Sequence, residues 1–212
     1  MHTPDGYLHP WMAGAFLALA GVVLSVAAMR ARDSLTEYRI QLFGVVAAAV
    51  FAAQLLNWPI PGGTSAHFVG GAFAAIALGP HLGALAVALV VTVQALVFGD
   101  GGALALGANV WNMAIVQAYV GYAVYASLVD RSEPLAMVAG GWVGITAAAA
   151  SASLQLGTAP AFGGELLSVV AVMVGGHAVL GLGEGLLTLV GYRLLARTGV
   201  ETGERSPVGV RA

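Results

Sequence analysis

Seven apolar stretches occupy most of this chain: 10–29, 40–58, 66–79, 82–98, 105–129, 135–156 and 166–195. A helix that crosses a bilayer needs roughly 20 mostly apolar residues, set by a hydrocarbon core about 30 Å thick. Charge agrees with this reading. Only 8% of the 212 residues are charged, where a soluble domain carries about 25%. The expectation is an all-α polytopic membrane protein with about seven transmembrane helices. A single membrane-embedded domain is expected over 1–197, followed by a polar tail over 198–212. The third stretch, HFVGGAFAAIALGP, is short and glycine-rich. A count of six, with 66–98 folded as a hairpin of half-helices, therefore stands beside the count of seven.

Arginine sets the expected orientation, because cytoplasmic loops carry the excess of Lys and Arg. There is no Lys, and all eight Arg fall between or beyond alternate stretches. Arg30, Arg32 and Arg39 lie after the first, Arg131 after the fifth, and Arg193, Arg197, Arg205 and Arg211 at or beyond the end of the last. Seven crossings put all of them on one face, with the N-terminus outside and the C-terminus inside. Eight scattered Arg make no groove for nucleic acid. The absence of Cys excludes disulfides and thiolate metal sites.

Polar side chains inside spans are costly in lipid and usually face the bundle interior. Gln54 and Asn57, Gln94, and Asn109 and Asn112 all fall in the outer halves of their spans, as does His67. Any one of these amides is explained by helix–helix hydrogen bonding. Their shared depth points to a chamber open to the outside. His81 follows Pro80 in an inner turn. His177 and Glu184, seven residues apart on one helical face and about 10 Å from each other, read as a buried hydrogen-bonded pair of structural importance. HExxH, GxSxG and Walker A motifs are absent, so nothing supports an enzyme.

The opening residues, MHTPDGY, break helices and carry no Lys or Arg, so they are not expected to be a signal peptide. A chain that starts Met-His offers a metal its α-amine, the His2 amide nitrogen and the His2 imidazole Nδ1. These close adjacent five- and six-membered chelate rings in one plane. One further imidazole completes four nitrogens in a square plane, a geometry diagnostic of Ni(II) or Cu(II). His67 is the expected fourth ligand, since it falls on the same side. The large His2 should protect Met1 from removal, and Pro4, Asp5 and Gly6 should turn the strand back into the bundle.

MHTPDGYLHP, FAAQLLNWPIPGGTSAHFVGGAFAAIALGP, FGDGGALALGANVWNMAIV and GHAVLGLGEGLLT resemble, in this order, the cobalt/nickel substrate-binding components of energy-coupling-factor ABC transporters, the CbiM/NikM family. The resemblance runs from residue 1 to about 195. It implies a metal-capture subunit in the inner (plasma) membrane of a prokaryote. Its partners would be a coupling transmembrane protein and cytoplasmic ATPase subunits. Co2+ or Ni2+ would be its transported substrate, with no catalytic cofactor. It also implies that the N-terminal segment plugs the bundle, and that Met1, His2 and the histidine of PGGT-x-x-H, here His67, hold the metal. Thr3 stands where the family more often has Ile. Some members carry a fused accessory segment that the short tail lacks, which leaves room for a separate small accessory membrane subunit. The alternative is a free-standing secondary carrier or channel for divalent cations. Such a carrier would bury several carboxylates along a path, and only Glu184 and Glu165 come near.

Overall fold

The computed structural model describes residues 1–60 and 64–197. The Pro-Gly-Gly before Thr64 and the expected tail at 198–212 lie outside these residues. Helix α1 (Pro10–Ala31) starts with Pro at its first position, where the missing N–H costs no hydrogen bond, and the His9 side chain accepts from Trp11 N–H. A 3-10 turn (Arg32–Ser34) leads to α2 (Glu37–Gln54), capped by the Thr36 hydroxyl, which accepts from Arg39 N–H at 3.2 Å. Strands β1 (Asn57–Ile60) and β2 (Thr64–His67) pair antiparallel, with Asn57 opposite His67. Then come α3 (Gly71–Leu78) and α4 (Pro80–Val93), which a π turn (Gln94–Phe98) prolongs. Helix α5 is built of three continuous pieces, Leu106–Val110, a π turn Trp111–Val116, and Gln117–Leu128. Helices α6 (Glu133–Gly157) and α7 (Leu166–Arg197) complete the described chain.

The seven expected stretches correspond to these seven helices, and four segments are long and apolar enough to cross a membrane: Pro10–Ser34, Pro80–Phe98, Glu133–Gly157 and Leu166–Arg197. Two details differ from expectation. Asn57 does not share a helical face with Gln54, because α2 ends at Gln54 and Asn57 begins a strand. The cause is Pro59, which biases Trp58 before it away from helical backbone and cannot donate a helical N–H. The hairpin of half-helices is also not formed. Only α3 is short, and α4 with its π turn runs unbroken from Pro80 to Phe98. At eight residues α3 is about 12 Å long, so β2 and the turn after it make up the rest of that passage.

Every residue of α3 except Phe73 is buried, which puts this short helix at the centre of the bundle. Small residues permit that. A Cβ added at Gly83 of α4 would lie 2.5 Å from the Ala75 backbone of α3, and one at Gly141 of α6 only 2.8 Å from Gly185 Cα of α7. Backbones touch at these crossings, as in tightly packed membrane helices. Helix α1, by contrast, turns Trp11, Leu17, Val22 and Met29 outward, as a lipid-facing helix would. At one end of the bundle Arg39 donates to the Leu78 carbonyl, and His81, in the first turn of α4, bonds the Tyr119 hydroxyl at 2.9 Å.

Candidate metal centre

The amino terminus lies inside the protein. Met1 is 4% exposed and Thr3 2%. The loop at 99–105, between α4 and α5, holds them there. Asn109 clasps the Thr3 backbone on both sides: its Oδ1 accepts from Thr3 N–H at 2.8 Å and its Nδ2 donates to Thr3 O at 3.0 Å. Gly102 N–H adds a bond to the same carbonyl at 2.9 Å. Asp5 Oδ1 accepts from Leu104 and Ala105 N–H at 2.8 and 3.1 Å, satisfying donors at the start of α5 that no helix carbonyl can reach. Gly101 has φ +89°, and a Cβ there would press on His2 and Asn109, so glycine is required.

His67 ends β2 and is fully buried. Its ring centroid lies 4.6 Å from that of His2. The structure therefore brings His2 and His67 together beside the buried first residue. His67 Nδ1 faces Phe68 O at 2.8 Å, and His2 Nδ1 faces Asp100 O at 3.2 Å. A ring nitrogen close to a carbonyl oxygen must carry the hydrogen, so the lone pair of each ring resides on Nε2. Both Nε2 atoms are buried without a hydrogen-bond partner among the described residues. His67, with Nδ1 tied to a carbonyl and Nε2 open, is preorganised as a ligand, whereas His2 Nδ1 is occupied by the Asp100 carbonyl. Among the described residues no three His, Asp or Glu side chains gather as a metal cluster.

Electrostatics prepares the same nitrogens. Burial pushes the Met1 amine down from about 8 to about 5, partly opposed by the Asp100 carboxylate. Burial, then the charge of that amine, lowers His2 to about 4, with Asp100 again opposing. Both groups are neutral at pH 7, as ligands must be.

A second layer positions His67. Glu184 of α7 accepts from Val69 N–H at 3.1 Å, Gly70 N–H at 2.7 Å and Gln117 Nε2 at 2.8 Å. Gln117 in turn accepts from Gly71 N–H at 2.9 Å, and Gln54 donates to Val69 O at 2.7 Å. A carboxylate thus sits at the positive end of α3 and fixes the turn just after His67. Glu184 and His177 do not form the expected pair: His177 Nδ1 bonds Met173 O at 2.7 Å, and its Nε2 is buried without a partner among the described residues. Of the other sequence candidates, Asn112 exchanges bonds with Gln155 at 2.9 Å and joins α5 to α6. The carboxamide of Gln94 is buried without a partner among the described residues. Sequence reasoning missed Gln117, Gln155 and the role of the loop at 99–105; the glycines of GDGGALALGAN were the available signal.

The bundle buries residue 1 and sets beside it two imidazoles 4.6 Å apart, each with an Nε2 that has no partner among the described residues. The family described as the cobalt uptake substrate-specific transmembrane region, CbiM, matches residues 2–202. The chain belongs to that family, whose relatives act in transition-metal uptake. It is 52% identical to a putative fused nickel transport protein of Archaeoglobus fulgidus, over 98% of this chain and 70% of that one. It is 50% identical to a putative metal transport protein of Haloquadratum walsbyi, over 92% and 90%. A solved structure described as a truncated transition metal transporter superposes with a TM-score of 0.87 at 37% identity, covering 93% of this chain and 99% of that one.

Proposed function

We propose that this chain is the substrate-binding membrane component of an ATP-driven, energy-coupling-factor importer for Ni2+ or Co2+. It captures the ion through the Met1 amine, the His2 amide nitrogen, the His2 imidazole and the His67 imidazole. The observation that carries the reading is the buried terminus with the His2 and His67 rings 4.6 Å apart. Chelation through His2 Nδ1 requires that nitrogen to leave the Asp100 carbonyl and to pass its hydrogen to Nε2, so loading re-sets the ring. Four planar nitrogens with a deprotonated amide suit Ni(II) better than Co(II). The arginine distribution supports an extracytoplasmic amino terminus. ATP hydrolysis belongs to cytoplasmic partner subunits, and coupling to a partner chain in the inner membrane.

The secondary-carrier alternative fares less well. Glu184, the one buried carboxylate among the described residues, is engaged by three hydrogen-bond donors at α3 and is not free to relay ions. Reconstituted alone in liposomes, the chain should bind Ni2+ yet fail to accumulate it against a gradient. Sustained uphill uptake without partner subunits would establish the carrier instead.

The pH dependence of binding tests the centre itself. With the amine near 5 and His2 near 4, neither holds a proton at neutral pH, and only the His2 amide proton leaves on binding. Affinity should fall about tenfold per pH unit between pH 7.5 and 6, and more steeply below about 5, where the amine competes for its own proton. A solvent-exposed amine, with its ordinary value near 8, would release a second proton and give about a hundredfold per unit across the same range. Measuring that slope by metal titration separates the two.

A further inference from the structure

Resting on that chelate reading, we propose that Asp100 is the counter-charge of the loaded centre. A divalent ion bound by one deprotonated amide and three neutral nitrogens leaves a net charge of +1. This charge would lie among Met1, Thr3 and His67, all nearly inaccessible to water. An unpaired charge in such surroundings is strongly disfavoured.

The carboxylates nearby differ in what they can do. Glu184 has both oxygens committed at α3, and Asp5 accepts two backbone N–H groups at the start of α5. Asp100 Oδ1 lies 3.8 Å from His2 Nδ1, the very atom the chelate uses. The same carboxylate also acts electrostatically on the Met1 amine. Its backbone is fixed independently. Asp100 N–H donates to Gln94 O at 3.0 Å, at the π turn that ends α4, and the residue sits between Gly99 and Gly101, both at positive φ. The side chain remains 40% exposed, so it also meets water and any arriving hydrated cation. A fixed carboxylate at the mouth of an otherwise neutral site attracts cations and offsets their charge once they are seated. The backbone carbonyl of Asp100 holds the His2 ring before loading, and the side chain balances what the ring binds afterwards.

Asp100→Asn separates these two roles, since it removes the charge and keeps the carbonyl. Ni2+ titration of the full-length chain, followed by the visible absorption of the four-nitrogen complex, is the experiment. Asp100→Asn should retain the parent band and bind at least tenfold more weakly, about 1.4 kcal/mol. Its affinity should depend less on ionic strength than the parent's, and Asp100→Glu should recover most of the loss. Parent-like affinity in Asp100→Asn overturns the proposal and leaves the chelate standing. A shifted band also overturns it, because Asp100 would then be shaping or joining the ligand set. Absence of the band from the unmodified chain at saturating Ni2+ overturns the chelate, and the counter-charge with it.

Discussion

His67→Ala and acetylation of the Met1 amine are each expected to weaken Ni2+ binding about a hundredfold or more, close to 2.7 kcal/mol, while thermal unfolding moves by only a few degrees. Each change removes one nitrogen from a set that acts as a unit, so the loss exceeds that of a single independent contact. The fold should tolerate both. The helices pack through glycine and alanine crossings such as Gly83 on Ala75, far from the terminus in kind and in energy. A long uncleaved N-terminal tag should act as acetylation does, by eliminating the free amine. Adding a single residue is a different case. A terminus with two amides before the imidazole supplies four nitrogens by itself, and metal binding would then no longer depend on His67. Tight binding by the acetylated chain would show that the Met1 amine is not a ligand, and tight binding by His67→Ala that His67 is not.

Glu184→Ala should act the other way round, on the fold first and on the metal second. It leaves Val69 N–H, Gly70 N–H and the Gln117 amide without their acceptor in a buried position. Each unsatisfied buried donor costs about 1–3 kcal/mol, discounted by whatever relaxation or water allows, so a loss of about 3–5 kcal/mol is expected. Thermal unfolding in detergent measures it. Metal affinity should fall as well, because the turn after His67 loses its anchor. Glu184→Gln retains one acceptor and should lie between Glu184→Ala and the parent. An unchanged melting temperature in Glu184→Ala would mean that the carboxylate does not hold α3.

Hydropathy made the helices legible, because lipid demands long uncharged runs, and the boundaries of α1, α4, α6 and α7 fall within a few residues of the apolar stretches. It misled where an apolar run was not a helix. Asn57 and Trp58 close the second stretch, but ahead of Pro59 they begin a strand. The proximity of His2 and His67 was legible from the side of the membrane to which the spans assign both residues. The support around them was not. Asn109 grips the Thr3 backbone across 106 residues, and Glu184 reaches Gly70 across 114. Side-chain bonds to distant main chain leave no periodic trace, and a mid-span Glu reads equally well as an ion relay or a helix cap. The π turns at Gln94–Phe98 and Trp111–Val116 likewise have no signature in composition.

The clasp around Thr3 has a consequence for biogenesis. The first residues to leave the ribosome settle against Asp100, Gly102 and Asn109, which are synthesised about a hundred residues later. Until α4 and α5 have been inserted and the loop joining them has formed, the terminus has no binding partner and must wait in water. Closing so long a loop is slow compared with helix formation. The proposed ligands Met1 and His2 are made about a hundred residues before the groups that clasp them. A nascent chain stalled before residue 109 would carry every atom of the proposed ligand set and still lack the clasp that holds it.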